Sequence, residues 1–123
     1  VPLTVREEAR LPDEALVVRG GMMLARDLAL AAERCEAELG FPGISVFAAA
    51  DLGFRALLLA APQLRTYRVV RRATAAAVRA LGCELVPTGA APHFTLRLPA
   101  VGFATLARLR EAFGSPIPNP LAR

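Results

Sequence analysis

The sequence predicts a single-domain α+β fold in the order β-α-β-α-β-α-β-β-α, a mixed sheet with helices mainly on one face. Three observations predict it. The chain has 123 residues, the length of one domain. Apolar residues make up 54% of it, enough for a continuous core and too many for a disordered chain. Short β-branched runs alternate with stretches of three- and four-residue apolar spacing, and two strands divided by a small-residue loop come late.

Residues 1–13 hold Pro2 and Pro12 and form an irregular N-terminal arm, with a helical turn expected at Arg6–Arg10. Ala15–Arg19 is a short apolar strand closed by Gly20-Gly21. Met22–Leu39 is an amphipathic helix: Leu24, Leu28, Ala31, Ala32, Cys35 and Leu39 share one side, and Gly40 stops it. Glu33, Glu36 and Glu38 belong to its solvated side. After the Phe41-Pro42-Gly43 turn, Ile44–Ala48 is a second strand. Asp51 is placed to cap a buried helix over Leu52–Ala61, which ends before Pro62. This β-α-β-α opening argues for some parallel pairing.

Thr66–Arg71 is a third strand, with Tyr67, Val69 and Arg71 on one face and Arg68, Val70 and Arg72 on the other. Thr74 caps a helix over Ala75–Leu81, and Gly82 ends it. Glu84–Pro87 and His93–Leu98 form a hairpin across the loop Thr88–Pro92. Phe94, Leu96 and Leu98 face inward, which leaves His93, Thr95 and Arg97 to solvent or ligand. A last helix, Phe103–Phe113, buries Phe103, Leu106, Leu109 and Phe113 before Gly114. Residues 115–123 are a Pro-rich tail, extended over the surface or loose.

Charge is unevenly spread. All 15 basic residues are Arg, and the formal net charge is +4. Residues 1–51 hold five Arg and nine acids, a balance of −4; residues 52–123 hold ten Arg and two acids, a balance of +8. Six Arg and no acid lie between Arg55 and Arg79. Arginine-rich coding explains the missing Lys, but the physics is the same either way. A permanent cation with a planar fork suits phosphate and carboxylate, and the asymmetry suits a polyanion or an acidic partner.

Several chemistries are poorly served. One His, two distant Cys and dispersed carboxylates give no metal-ligand spacing, so no metal or cofactor is expected. Cys35 and Cys83 are expected as free thiols in a reducing cytoplasm. With no Trp and 6% aromatics, a rich base-stacking platform is excluded. The longest charge-free runs, such as Leu39–Ala50, are too short to span a bilayer, so no membrane partner is expected, and nothing in the sequence indicates secretion. Ser45 lacks the glycine elbow of a hydrolase nucleophile, and Arg19-Gly20-Gly21 is too short for a phosphate loop.

The strongest constellation lies in Arg65–Leu98. His93 is the candidate catalytic residue, because a near-neutral imidazole can move protons on a 2′-hydroxyl while arginines hold the phosphate charge. Arg68, Arg71, Arg72, Thr74, Thr95 and Arg97 are the phosphate-binding candidates, with Arg71 and Arg72 set ahead of a helix start. Arg19, Ser45, Tyr67 and Thr88 are secondary candidates.

His93-Phe94-Thr95-Leu96 resembles half of the two-histidine phosphoesterase signature; the second half needs another His, and the chain has one. The C-terminal half, with its helix, Leu-Gly, strand, His-bearing turn, strand, Pro and closing helix, resembles the HicA class of small ribonuclease toxins. That resemblance implies a double-stranded-RNA-binding-like fold for this half and a catalytic His93. The Gly-Ser that precedes the catalytic His in that class is missing here, and the N-terminal half has no counterpart. The expectation is therefore a small basic cytoplasmic bacterial protein engaging RNA or another phosphate-bearing ligand, by extension a metal-independent ribonuclease of toxin–antitoxin type. The alternative is a non-catalytic module that docks on an acidic protein partner or self-associates as a homodimer.

Overall fold

The computed structural model describes residues 3–123. Six strands form one sheet: β1 Leu16–Gly20, β2 Gly43–Ala49, β3 Val69–Thr74, β4 Glu84–Pro87, β5 His93–Arg97 and β6 Ile117–Pro118. Four helices accompany it: α1 Ala25–Leu39, α2 Phe54–Ala60, α3 Ala75–Ala80 and α4 Phe103–Ala112; a 3-10 turn follows α2 at Pro62–Thr66. The sheet order is β4-β5-β2-β1-β3-β6. Every pairing between these strands is antiparallel, so the mixed sheet gives way to an antiparallel one. The reason is topological: β1 and β2 are direct neighbours, and α1 returns the chain along the strand instead of crossing over it.

Strand alternation divides the core in two. Val17, Ile44, Val46, Ala73, Phe94 and Leu96 face the larger cluster, which Leu28 of α1, Val78 of α3 and Leu106 and Leu109 of α4 complete. Val18, Phe47 and Val70 face the smaller one, under Leu57 and Leu58 of α2 and Leu64 of the 3-10 turn. Three helices thus share one face and α2 lies on the other.

Local signals explain most boundaries. Gly40 ends α1 in the left-handed region (φ 85°) with its N–H on the Glu36 carbonyl, and the Thr74 hydroxyl accepts from Ala77 N at 3.1 Å to start α3. Others fall elsewhere. Asp51 caps nothing; α2 starts after Gly53. Thr66–Arg68 stay outside β3, because Pro62 opens a 3-10 turn that runs to Thr66 and is capped by Tyr67. Leu24 and Phe103 are exposed although their periodicity points inward, Phe103 at 79%. Leu24 and Phe103 sit at helix starts, where no neighbouring element covers them. The tail is not loose: β6 pairs with β3, and buried Asn119 donates to the carbonyls of Leu64 and Tyr67. The arm is not helical at Arg6–Arg10. Instead Val5 bridges Thr88, and Arg6 N donates to the Pro87 carbonyl.

Candidate functional site

The sheet register places His93 and Arg72 on one face and in one cross-strand row: His93 opposite Phe47, Phe47 opposite Val18, Val18 opposite Arg72. Three strand intervals separate them, about 14 Å. Val18 and Phe47, both buried, fill the space between. Arg71 points to the opposite face, where one guanidinium nitrogen donates to the carbonyls of Arg110, in the last turn of α4, and Gly114, just beyond it. His93, Arg71 and Arg72 therefore form no common hollow.

His93 is occupied locally. Its Nδ1 lies 3.0 Å from Thr88 Oγ1 and 3.1 Å from the Thr88 carbonyl, and its ring meets Phe47 edge-on at 5.3 Å. Burial lowers its pKa; the bond to Thr88 opposes the shift and Arg6 adds to it. Thr88 Oγ1 also pairs with Thr95 Oγ1 at 2.8 Å, and both threonines are buried. Arg6 seals this knot by donating to the carbonyls of Thr88 and His93 while its guanidinium covers the Phe94 ring. The face left open by the hairpin pattern is thus partly closed by the N-terminal arm, whose irregular sequence gave no sign of it. Arg97 is exposed and stacks on Phe41, outside this cluster.

Two other arrangements emerge. The first is an arginine face. Arg55 of α2, Arg65 of the 3-10 turn, Arg68 and Arg72 border the smaller core cluster on the α2 side of the sheet. Arg72 lies over the Phe54 ring at 4.9 Å, and Arg55, Arg68 and Arg72 are exposed. Among the described residues only Arg6 and Arg79 meet a carboxylate, Glu8 and Asp13 respectively, so this face carries uncompensated charge. The ring of Tyr67, next in the chain to Arg68, lies over Gly20 and is 45% exposed. The acid-free run in the sequence was the signal for this face.

The second is a slot. β1 pairs with β2 only from Leu16 to Val18; beyond that, Arg19 and Gly20 follow β3 while Gly43–Ser45 follow β5. Arg19 spans the gap and donates to the Ser45 carbonyl at 2.8 Å, where a ladder bond would otherwise lie. Tyr67 covers Gly20 so closely that a Cβ there would overlap its ring. A cavity of about 320 Å³ opens at this point, lined by Arg19, Ser45, Tyr67 and Thr95 with Leu3 from the arm and Arg34, Cys35 and Glu38 from α1. Three secondary candidates, Arg19, Ser45 and Tyr67, thus meet Thr95 at one place. Thr74 is spent on capping α3. The part played by Arg34 and Leu3 had no sequence signal, since it depends on where the arm and α1 come to rest.

Cys35 and Cys83 are free thiols, and the described residues contain no cluster of three or more potential metal ligands. No described helix is long and apolar enough to cross a membrane. Comparison with protein-family models, with curated proteins and with solved structures gave no match.

Proposed function

We propose that this protein binds single-stranded RNA through the arginine face formed by α2, the 3-10 turn and the start of β3. The observation that supports this reading is the set Arg55, Arg65, Arg68 and Arg72 on one side of the sheet, with no carboxylate partner among the described residues. Permanent charges left in water gain by releasing counterions from a phosphate chain. The half-exposed Tyr67 ring gives one base a stacking surface, which favours an unpaired strand over a duplex. With a single ring, affinity rests mainly on charge and falls steeply with salt.

Binding on this face involves no catalysis at His93. An imidazole held by Thr88, pressed against Phe47 and about 14 Å from Arg72 is not in reach of a phosphate seated there. Fluorescence anisotropy with a labelled single-stranded RNA tests the proposal. Binding is expected at low salt, and the double substitution Arg68→Ala/Arg72→Ala should reduce the slope of log K against log salt by about 1.4, some 0.7 for each phosphate left without its arginine. An unchanged slope, or no binding at low salt, refutes it.

A second reading has support from α1, whose exposed Glu33, Glu36 and Glu38 lie on the opposite side of the sheet from the arginine face. One copy would then offer its acids to the arginines of the next. Salt-sensitive self-association by light scattering, abolished in the same double variant, would favour that reading.

A further inference from the structure

We propose that the slot between β1 and β2 is a binding site for a small organic carboxylate, held by the guanidinium of Arg19. The site is distinct from the arginine face, although Tyr67 borders both.

Arg19 is an uncompensated group. It leaves the sheet surface and enters the gap between two strands, yet among the described residues it meets no carboxylate there. Its one hydrogen bond among those residues is to the Ser45 carbonyl. Its Nε is shut off from solvent and has no partner among the described residues. Burial lowers its pKa, and Tyr67 and Asp27 oppose this without outweighing it. A guanidinium in this state lacks the second hydrogen-bonded edge and the counter-charge that normally justify burial. Nη2 is the nitrogen of the fork left open to a carboxylate oxygen, beside the Nη1 that holds the Ser45 carbonyl.

The cavity supplies the rest. At about 320 Å³ it falls in the range of small-molecule sites. Leu3, Ala31, Ile44 and the Tyr67 ring give it apolar walls, and Ser45 sets a hydroxyl-bearing residue at its exposed side. Gly43 lets its wall pack closely: a Cβ there would collide with the Thr95 methyl at 2.7 Å and crowd Cys35 Sγ at 3.1 Å. Charge chooses between oxyanions. Arg34 and Glu38, one turn apart on α1, both line the cavity and offset each other in charge, and Asp27 acts on Arg19 from outside the lining, so the site carries at most one net positive charge. One positive charge balances a carboxylate; a phosphate monoester brings nearly two negative charges and leaves one unmatched beside Glu38. The ligand class is therefore a monoanionic acid on a compact apolar body.

Titration calorimetry and thermal melting with benzoate, phenyl phosphate and neutral benzamide test this. Benzoate should bind the wild-type protein and raise its melting temperature, and benzamide should do neither. Arg19→Met should weaken benzoate binding roughly ten- to hundredfold, the loss of a charge-assisted hydrogen-bonded pair. Ser45→Phe fills the slot from an exposed position, leaves Arg19 in place and should also abolish binding, so it decides the matter if Arg19→Met fails to fold. Arg68→Ala/Arg72→Ala should keep benzoate binding intact, which separates this site from the arginine face. No benzoate binding to the wild type, or binding unchanged in both slot variants, overturns the proposal. Tighter binding of phenyl phosphate overturns the choice of carboxylate.

Discussion

Arg19 and Arg71 are cross-strand partners on β1 and β3, and their side chains go to different fates. Arg71 reaches the end of α4, where two carbonyls accept from it. One is a last-turn carbonyl of α4 and the other belongs to the turn that follows, so the guanidinium ties the helix end to the sheet. Arg19 reaches into a gap in the sheet, where one carbonyl accepts and the residue lines a cavity. Both have a buried Nε without a partner among the described residues. The difference lies in what surrounds the other nitrogens. A buried arginine is architecture where the backbone offers acceptors in pairs, and a binding group where it offers one acceptor and open space.

The largest expected effect tests that contrast directly. Arg71→Met should cost about 2–4 kcal/mol, since two charge-assisted bonds to helix-end carbonyls disappear together. Arg19→Met should cost under about 1 kcal/mol, because the missing bond to Ser45 is offset by removing a buried unpaired donor. Chemical denaturation of both variants measures the gap, and equal losses would erase the distinction. Gly20→Ala comes next. The new methyl would displace the Tyr67 ring, at a cost of about 1–2 kcal/mol. Because that ring also borders the slot, benzoate affinity should fall with it; a stable variant with unchanged affinity would detach Tyr67 from the site.

The smaller effects concern the hairpin, where polar groups satisfy one another. His93 has its folded pKa below the unfolded value of about 6.5. The unfolded chain therefore takes up the proton first as pH falls, and stability should drop from about pH 6.5 downward until the folded pKa is passed. His93→Gln should flatten that part of the curve in melts recorded across about pH 5–8. Alkylation gives the finest distinction: Cys83 is buried with its pKa pushed up to about 11, whereas Cys35 is half-buried, so mass spectrometry should find Cys35 labelled well before Cys83.

Local chemistry made much of the fold legible. Gly40, Thr74, Gly82 and the Thr88–Pro92 loop mark real boundaries, and the alternation of Phe94 and Leu96 identifies the core face of β5. The candidate site was only half legible. Arg19, Ser45 and Tyr67 stand out by residue type, but nothing in the chain says that they meet. The order of neighbours in a sheet is not written in the period of any strand: His93 and Arg72 share a face and a row, yet β2 and β1 lie between them.

What the sequence alone determined is each element's type, most of its ends and which side chains alternate inward, because caps, glycine conformations and apolar period act over a few residues. Strand order, the parting of β1 from β2, the arm over the hairpin and the company each arginine keeps were settled only in three dimensions. Those depend on which elements bury surface against each other, and that choice is made by the whole chain at once.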